Sequence, residues 1–378
     1  MKKSIYNKIH INPIRNYFAI LILLFSVTVF GYSIDKQEFK KKISKEFAIN
    51  YKGEVALYNK YGKIEVKTSS NNKVTIDIEI VVNANSEKTA QETFDRINFD
   101  FYNNENYVKA MTVIESKVNW GWNTNNVDYS INYYVNMPST CRLDLNNKYG
   151  DSYISFLDAS AKIDVKYGNF KMDGLSDNLM VTLGYGNGTV DQCKDLNAGI
   201  SYGKLSLKES RNVAMETKYS DINISKGNDI AISTKYDTYT IGNVKRVSNT
   251  GKYDHFNIMS ADDIAMTSDY TDVKVSNLIN SCAFNLSYGE LSLKNISKDF
   301  KFISVDASYT DVSIDVEENA NFSFYGSSSY GDIKFPSSMN VSANNNSSNS
   351  KYVEGYFGTK NNKSKITVKA SYGDIKLK

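Results

Sequence analysis

Histidine, cysteine and proline are scarce in this chain of 378 residues, which contains two histidines, three cysteines and three prolines. His255 is the only histidine beyond residue 10. A triad that uses histidine therefore has a single candidate base, and a metal site with several histidine ligands has no candidate set. We interpret His255 as a solvated turn residue.

The three cysteines, Cys141, Cys193 and Cys282, are widely spaced and form no CxxC pair. Their odd number and their spacing argue against a disulfide framework and against a zinc site. We expect them to be buried free thiols. A glycine-rich phosphate loop in a βαβ context is also missing. We therefore predict no catalytic, metal-binding or cofactor-binding residue, and no cofactor.

An excess of basic residues is missing once the N-terminus is set apart. Residues 1–16 carry four basic residues and no acid, and the uncharged run YFAILILLFSVTVFG follows them. This pattern predicts a signal peptide over residues 1–33, with an uncleaved membrane anchor as the alternative. Its removal changes the formal net charge from +3 to about −1, which argues against nucleic acid as a partner. No later stretch is apolar enough to span a membrane, so we expect an exported protein.

Tyrosine is abundant, with 28 residues, and it marks an internal repeat. Phrases such as SYGKLSL, SYGELSL and SYGDIKF recur at steps of 17 or 18 residues from Tyr149 to Tyr288, and then at steps of 21, 21 and 42. A fixed period of this kind is typical of a solenoid. The aligned tyrosines are Tyr61, Tyr149, Tyr167, Tyr185, Tyr202, Tyr219, Tyr236, Tyr253, Tyr270, Tyr288, Tyr309, Tyr330 and Tyr372.

Hydrophobic alternation predicts strands on both sides of each repeated tyrosine. The residue five positions after the tyrosine is apolar in all thirteen copies, and the residue three positions after it is apolar in eleven, with Ser152 and Gly188 as the exceptions. Alternation with a period of two is typical of half-buried strands, and units this short bury a core only by stacking. The sequence predicts an all-β fold, a parallel β-solenoid of 17–21-residue coils. We place it at residues 141–378, with a polar loop or hairpin inserted near 336–366.

The orientation of the repeated tyrosines follows from the same alternation. In the strand alternation each tyrosine falls on the same side as the apolar residue four positions earlier, which predicts that the tyrosines point to the interior or into the corner of the coil. Because equivalent side chains of successive coils lie above one another, we expect one column of rings from Tyr149 to Tyr288. We interpret it as a structural aromatic ladder, and a ligand-stacking platform is the alternative.

Residues 34–140 depart from the repeat and predict a small α+β region. Because the open end of a solenoid is a row of unpaired edges, we interpret this region as a cap on the first coil. We expect a charged lead-in over 34–47, a first coil at KYGKIEV and a long strand over Val74–Ile80. A helix is predicted after the N-cap Ser86, with Ala90, Phe94 and Ile97 on one face. Three further strands are predicted from Phe99, from Tyr107, and over Tyr129–Met137.

Two groups of side chains are candidates for ligand binding. Trp120 and Trp122 lie in the polar stretch VNWGWNTNN, where they could stack on a sugar ring or pack in a turn. The second group is a row of corner acids two residues after the tyrosine, which we expect in successive coils. These acids are Asp272, Glu290, Asp311 and Asp332.

Stacking would place the corner acids about 5 Å apart. That spacing suits the acid pair of a retaining glycosidase, and a row of carboxylates would also attract Ca²⁺. Solvated acids in tight corners are the simplest interpretation, and the sequence does not require calcium.

The order of these parts resembles a family of exported β-strand-repeat proteins grouped as candidate adhesins, related to the head domains of autotransporter-like adhesins of Gram-negative bacteria. The resemblance is carried by the signal peptide, the opening GEVALYNKYGKIEV, the passage YYVNMPSTCRLDLNNKYGDSYI and the Tyr-Gly-Asp coils. It implies a right-handed β-solenoid, a location in the periplasm or at the cell surface, and no established catalytic residue.

Three functions are compatible with these features. The first is a non-enzymatic envelope or surface scaffold, adhesin-like, that binds a glycan or protein partner. The second is a periplasmic accessory that docks another envelope protein. The third is a polysaccharide-active β-helix enzyme that uses the corner acids, which would then share a cleft with aromatic walls.

Overall fold

The repeated segments of the chain stack on one another as parallel coils. The computed structural model of the protein describes residues 36–116, 127–360 and 362–378, so the predicted signal peptide lies outside the described residues. Within these ranges the chain forms 26 strands and one short helix, and no helix is long and apolar enough to cross a membrane. The predicted β-solenoid is confirmed.

Each coil places one strand segment before its tyrosine corner and one after it. The two segments belong to separate ladders, and each pairs with its equivalent in the next coil. In the middle of the stack, single strands run from one tyrosine corner to the next. The strands of the stack are β2 (Glu54–Lys60), β3 (Ile64–Ser69), β8 (Arg142–Lys148), β9 (Ser152–Ile154), β10 (Ala161–Lys166), β11 (Phe170–Met172), β12 (Asn178–Gly184), β13 (Asn187–Ser201), β14 (Lys204–Lys218), β15 (Asp221–Lys235), β16 (Thr238–Lys252), β17 (His255–Asp269), β18 (Asp272–Val275), β19 (Leu278–Ile296), β20 (Phe302–Val316), β21 (Phe322–Ser329), β22 (Ile333–Lys334), β25 (Ser364–Ser371) and β26 (Ile375–Leu377).

The core consists of columns of equivalent residues. Three positions after the tyrosine, Leu205, Ile222, Tyr239 and Phe256 are directly paired in consecutive coils, and all four are fully buried. The rings of Tyr239 and Phe256 stack with centroids 5.1 Å apart. Each buried apolar side chain of this size contributes about 1.5–3 kcal/mol, so the stack is stabilised by interior columns.

The two polar or small exceptions in this column have local explanations. Ser152 is fully buried, and its hydroxyl accepts a hydrogen bond from Nδ2 of Asn147 at 3.2 Å. At Gly188 a Cβ atom would lie 2.4 Å from the ring of Phe170 in the preceding coil. The large ring of one coil therefore fills the space that the glycine leaves in the next.

Strands from the N-terminal region cover the first coil on both of its faces. The elements of this region are β1 (Gln37–Ala48), β4 (Lys73–Ala84), α1 (Glu87–Phe94), β5 (Ile97–Asn104), β6 (Tyr107–Ile114) and β7 (Asp128–Pro138). β6 pairs with β2, and β5 pairs with β6. On the other ladder, β7 pairs with β3, β4 pairs with β7, and β1 pairs with β4. These strands occupy the edge that β2 and β3 would otherwise expose.

Two details of this region differ from the sequence prediction. The charged segment 34–47 is not only a lead-in, because Phe39, Ile43 and Phe47 share one parity and pack against the core as part of β1. Helix α1 begins after Ser86, whose hydroxyl accepts from the amide of Thr89 as an N-cap. It ends at Phe94, so Ile97 opens β5 and pairs with β6 instead of extending the helical face.

The coil formed by the end of the chain does not lie at the end of the stack. β25 and β26 lie between β20 on one side and β21 with β22 on the other. Between β22 and β25 the chain forms an antiparallel hairpin, β23 (Asn340–Asn346) and β24 (Ser350–Phe357), and β24 pairs with the outer edge of β21. The coil of Tyr330 is therefore separated from that of Tyr309 by the coil of Tyr372.

We predict that Leu291→Ala lowers the free energy of unfolding by about 2–5 kcal/mol. Leu291 is fully buried, and it pairs with Val273 and Val312 in the adjacent coils, so the substitution opens a cavity between coils. The control is the exposed neighbour Glu290→Gln, which should stay within about 1 kcal/mol of the wild type. Urea denaturation followed by circular dichroism measures both variants, and equal stability of the two would contradict the buried column.

Candidate functional site: an exposed tyrosine ridge

The thirteen repeated tyrosines form one continuous stack on the surface, which we call the tyrosine ridge. Neighbouring ring centroids are 4.6–5.2 Å apart and neighbouring planes are 2–14° from parallel. Twelve such intervals give a length of about 58 Å, as expected from strand spacing. The order along the ridge is Tyr61, Tyr149, Tyr167, Tyr185, Tyr202, Tyr219, Tyr236, Tyr253, Tyr270, Tyr288, Tyr309, Tyr372 and Tyr330.

Every tyrosine of the ridge has a left-handed backbone, with φ between +50° and +62°. In this conformation the side chain leaves the strand alternation, so the rings are 38–57% exposed. The prediction of an interior orientation is therefore wrong, whereas the corner position holds. The backbone is fixed by a bond between coils, because the amide of Tyr219 donates to the carbonyl of Lys235 at 3.0 Å and equivalent bonds recur from Tyr61 to Tyr270.

The glycine that follows most of these tyrosines allows the coils to approach closely. A Cβ atom on Gly168 would lie 2.1 Å from the carbonyl oxygen of Gly150 in the preceding coil. Glycine is needed at position 168 because the Cβ atom of any other residue would collide with the backbone of Gly150. The Tyr-Gly pair thus combines a left-handed residue with a close backbone contact.

The ridge presents ring edges and hydroxyl groups to solvent. Each ring inside the stack has both faces against neighbouring rings, and the first ring, Tyr61, also meets the edge of Tyr129 with centroids 5.6 Å apart. A sugar therefore has no free ring face to stack on within the row, which argues against the ligand-stacking alternative. What remains available is a row of hydroxyls that donate and accept hydrogen bonds.

The corner acids form a column beside the ridge, but one member is missing from the predicted set. Asp374 lies between Asp311 and Asp332, because the last coil is inserted there, so these two acids are not in successive coils as predicted. The carboxylate of Asp311 accepts the amide of Asp374 at 2.9 Å, and the carboxylate of Asp374 accepts the amide of Asp332 at 2.8 Å. Asp272 accepts the amide of Glu290 in the same way at 3.1 Å.

The corner acids are exposed, and the carboxylates of Asp272, Asp311 and Asp374 hold the backbone of the next coil. The ion pair with Lys351 holds the pKa of Asp332 below its usual range. A general acid needs a raised pKa, so Asp332 is unsuited to that role. Over the described ranges, no group of three or more histidine, cysteine or acidic residues is placed to hold a metal ion.

The other candidate residues are placed as follows. Trp120 and Trp122 lie outside the described residues. His255 is 45% exposed at the corner, 3.9 Å from the carboxylate of Asp272. Cys141, Cys193 and Cys282 are buried and free, and burial raises the pKa of each thiol.

Two buried carboxyl groups next to the ridge were not singled out from the sequence. Asp237 and Asp254 follow Tyr236 and Tyr253 directly, in the position that holds glycine in most coils, and they are 3% and 5% exposed. The signal in the sequence is this replacement of glycine by an acid in two consecutive repeats. Both acids lie in the middle of the stack.

Hydrogen bonds between coils satisfy these two carboxyl groups. Asp237 accepts the amide of Ser220 at 2.8 Å and the hydroxyl of Thr217 at 2.7 Å. Asp254 accepts the amide of Asp237 at 2.9 Å and the hydroxyl of Thr234 at 2.6 Å. Desolvation nevertheless dominates, so burial raises the pKa of Asp237 and raises the pKa of Asp254 to about 6.

Sequence comparison assigns the chain to a family. The profile of the Toastrack DUF4097 family matches residues 176–378, more than half of the chain. The chain belongs to the Toastrack DUF4097 family. This agrees with the resemblance seen in the sequence, and the matched part of the Toastrack chain includes the corner acids and both buried carboxyl groups. No curated protein matches the sequence.

Several solved structures are similar to the Toastrack chain. A "putative cell adhesion protein" from Clostridium sporogenes is 10% identical over 90% of this chain and 99% of its own, with a TM-score of 0.19. A "putative adhesin" from Parabacteroides distasonis is 13% identical over 73% and 96%, with a TM-score of 0.28. A "putative lipid binding protein" from the same species is 12% identical over 74% and 97%, with a TM-score of 0.27. Scores this low describe a loose likeness, and family membership rests on the sequence match.

We predict that Tyr219→Ala destabilises the Toastrack fold by about 1 kcal/mol more than Tyr219→Gly does. Both substitutions remove the ring, but alanine retains the cost of the left-handed backbone at φ +50° and glycine does not. The exposed Tyr153 in strand β9 is the control, because there glycine should be the more damaging substitution. Thermal melts of the four variants measure this, and the same order at both positions would contradict the prediction.

We predict that Asp254 contributes a loss of stability as the pH rises from about 4 to about 6, and that Asp254→Asn removes this contribution. The pKa of Asp254 is about 6 in the fold and about 3.9 when unfolded. The folded state therefore binds more protons than the unfolded state within this window, at a cost of about 3 kcal/mol once both are ionised. Asparagine keeps an acceptor for the amide of Asp237. Urea titrations of the wild type and of Asp254→Asn at several pH values test this, and a constant difference in the free energy of unfolding between the two across this window would contradict the prediction.

Proposed function

We propose that the protein is an exported, non-enzymatic scaffold of the cell envelope or surface that presents the tyrosine ridge to a glycan or protein partner. The observation that carries the proposal is that thirteen tyrosines adopt a left-handed backbone and remain about half-exposed. A turn that needed only this backbone would be served by glycine or asparagine, without strain. Retention of tyrosine in every coil therefore favours a role for the exposed ring edges and hydroxyls.

The placement of the corner acids favours a scaffold over a polysaccharide-active enzyme. The carboxylates of Asp272, Asp311 and Asp374 accept backbone amides of the following coil, which gives them a structural role. The neighbouring ridge stacks its ring faces internally, so its rings do not form aromatic walls around these acids. A glycosidase pair would need one acid kept protonated beside the other, and the corner acids are exposed to solvent, which does not favour a protonated carboxyl group.

Family membership and the predicted signal peptide support an extracytoplasmic location, which we propose to be the periplasm or the cell surface of a Gram-negative bacterium. A periplasmic accessory that docks another envelope protein is the alternative. The two locations, cell surface and periplasm, differ in whether the ridge is reachable from outside an intact cell. Protease treatment of whole cells distinguishes them, because only a surface protein is cleaved before the outer membrane is opened.

The test of the ridge is capture of an envelope partner by the purified protein and by two matched triple variants. Tyr167→Asn, Tyr202→Asn and Tyr236→Asn remove ridge rings, and asparagine tolerates the left-handed backbone. The control triple removes three exposed tyrosines outside the ridge: Tyr51→Asn, Tyr102→Asn and Tyr153→Asn.

We expect the ridge triple to lose the captured partner and the control triple to retain it. Thermal melts verify that both triples are folded. Equal capture by the two would contradict the proposal. Release of sugar products from envelope or host glycans by the wild-type protein would favour the enzyme instead.

A further inference from the structure

Six lysines line one side of the tyrosine ridge, each directly before a ridge tyrosine. They occur only in the part of the ridge from Tyr61 to Tyr253, which we call the basic half and which is about 35 Å long at the spacing of its coils. Their side chains are exposed or half-exposed. The lysines are Lys60, Lys148, Lys166, Lys218, Lys235 and Lys252.

These lysines form no close ion pair among the described residues, although Lys252 lies in register with Asp269 of the next coil. None of the six has a carboxylate within 4.0 Å of its ammonium among the described residues, although sixteen other ion pairs are found there. Nζ of Lys166 and Nζ of Lys235 lie beside the ring stack, 5.3 and 5.6 Å from the centroids of Tyr167 and Tyr236. The ammonium groups are therefore held beside the ridge with their charge available to a ligand.

Beside three rings of the basic half, on the side of the residues that follow the tyrosines, lies a shallow depression lined by small and polar groups and by one acid. Gly168, Gly186 and Gly203 line it together with Asn169, Asn187 and Asp151, whose carboxylate accepts the backbone and side-chain amides of Asn169. The side-chain Nδ2 of Asn187 donates to Oδ1 of Asn169 at 2.9 Å, so the two asparagines form a short ladder. This side supplies hydrogen-bonding groups to a ligand that follows the ridge.

The charge beside the ridge reverses after Tyr253. From Tyr270 onwards, in the part that we call the acidic half, no lysine precedes a tyrosine and six carboxylates flank the rings. These are Asp269, Asp272, Glu290, Asp311, Asp374 and Asp332. Of these, Asp332 is paired with Lys351, which lies in β24. The equivalent positions of the basic half hold two acids, Asp151 and Asp221, of which Asp221 is paired with Lys204. An anionic ligand would be attracted to one half and repelled by the other.

We propose that the basic half of the tyrosine ridge binds a linear anionic polymer, whose carboxylate or phosphodiester groups contact the lysines while its hydroxyls contact the tyrosine hydroxyls. One exposed lysine binds an anion weakly, but the six lysines form two groups of three at coil spacing, separated by the two coils that carry Gly184 and Ser201 before the tyrosine. Together they engage several charges of one chain at once. A polymer fits better than a compact anion because the charges lie on a line. The inference rests on the proposed function and names the ligand class of the same ridge.

The test compares two variants that lose the same charge at different places. The ridge variant carries Lys148→Gln, Lys166→Gln, Lys235→Gln and Lys252→Gln. The control carries Lys208→Gln, Lys245→Gln, Lys274→Gln and Lys294→Gln, which are exposed lysines away from the ridge flank. Binding of the full chain to polygalacturonate, to poly(glycerol phosphate) and to neutral dextran is measured by titration at two salt concentrations.

We expect the wild type to bind at least one of the two polyanions, more weakly at high salt, and to ignore dextran. The ridge variant should lose at least tenfold in affinity and the control less than threefold. Which polyanion binds identifies carboxylate or phosphodiester as the recognised group. Equal losses in the two variants would show a net-charge effect and overturn the proposal.

Three further outcomes would also overturn the polyanion. They are binding of monomeric galacturonate as tightly as the polymer, binding of neither polyanion, and salt-sensitive association of the protein with itself through the ridge in place of polymer binding. If neither polyanion binds while the tyrosine variants still lose envelope capture, the scaffold stands and its ligand is different. If polyanions bind at the lysines while the ridge triple and the control triple capture the envelope partner equally, the proposed role of the ridge tyrosines in capture is wrong.

Discussion

Parallel pairing of each coil with a copy of itself is the interaction on which the rest of this structure depends. Because equivalent residues are hydrogen-bonded neighbours, every side-chain choice is repeated at the spacing of adjacent strands. Apolar residues at equivalent positions form the interior columns, and small residues at equivalent positions allow close backbone contact. Charged residues at equivalent positions lie above one another, which explains why the surface beside the ridge has extended basic and acidic halves.

In the tyrosine ridge, the cost of a left-handed backbone is offset by contacts with equivalent residues of the neighbouring coils. A single tyrosine in a left-handed backbone is unfavourable by about 1–2 kcal/mol. In the stack, that residue also gains a hydrogen bond to the next coil and a ring on each side, worth about 0.5–1.5 kcal/mol per ring pair. Isolated in a loop, the same residue would gain neither, so the conformation and the stack stabilise each other.

Much of the fold follows from spacing, because the period of the repeat and the alternation around the tyrosine are properties of the chain alone. The N-cap at Ser86 and the strands of the cap are read in the same way. The left-handed backbone could not be predicted, since tyrosine favours strands and the conformation is imposed by the coil above. The order of the last coils was equally hidden, because an interval of 42 residues between Tyr330 and Tyr372 is compatible with either order. The lysines before the tyrosines, by contrast, are visible as repeated Lys-Tyr pairs whose meaning depends on the rings pointing outwards.

The insertion of the final coil between two earlier ones has a consequence for how the molecule is completed. Coils up to that of Tyr309 can dock in the order in which they are made, each on the one before. The coil of Tyr330 cannot, because its partner strands, β25 and β26, follow it in the chain. A nascent chain therefore keeps an open position between the coils of Tyr309 and Tyr330 until residues 364–377 are made, and filling that position fixes the hairpin of β23 and β24 on the outside. β25 and β26 are thus made after the coils on both sides of them, and their insertion holds in place a part of the structure made earlier.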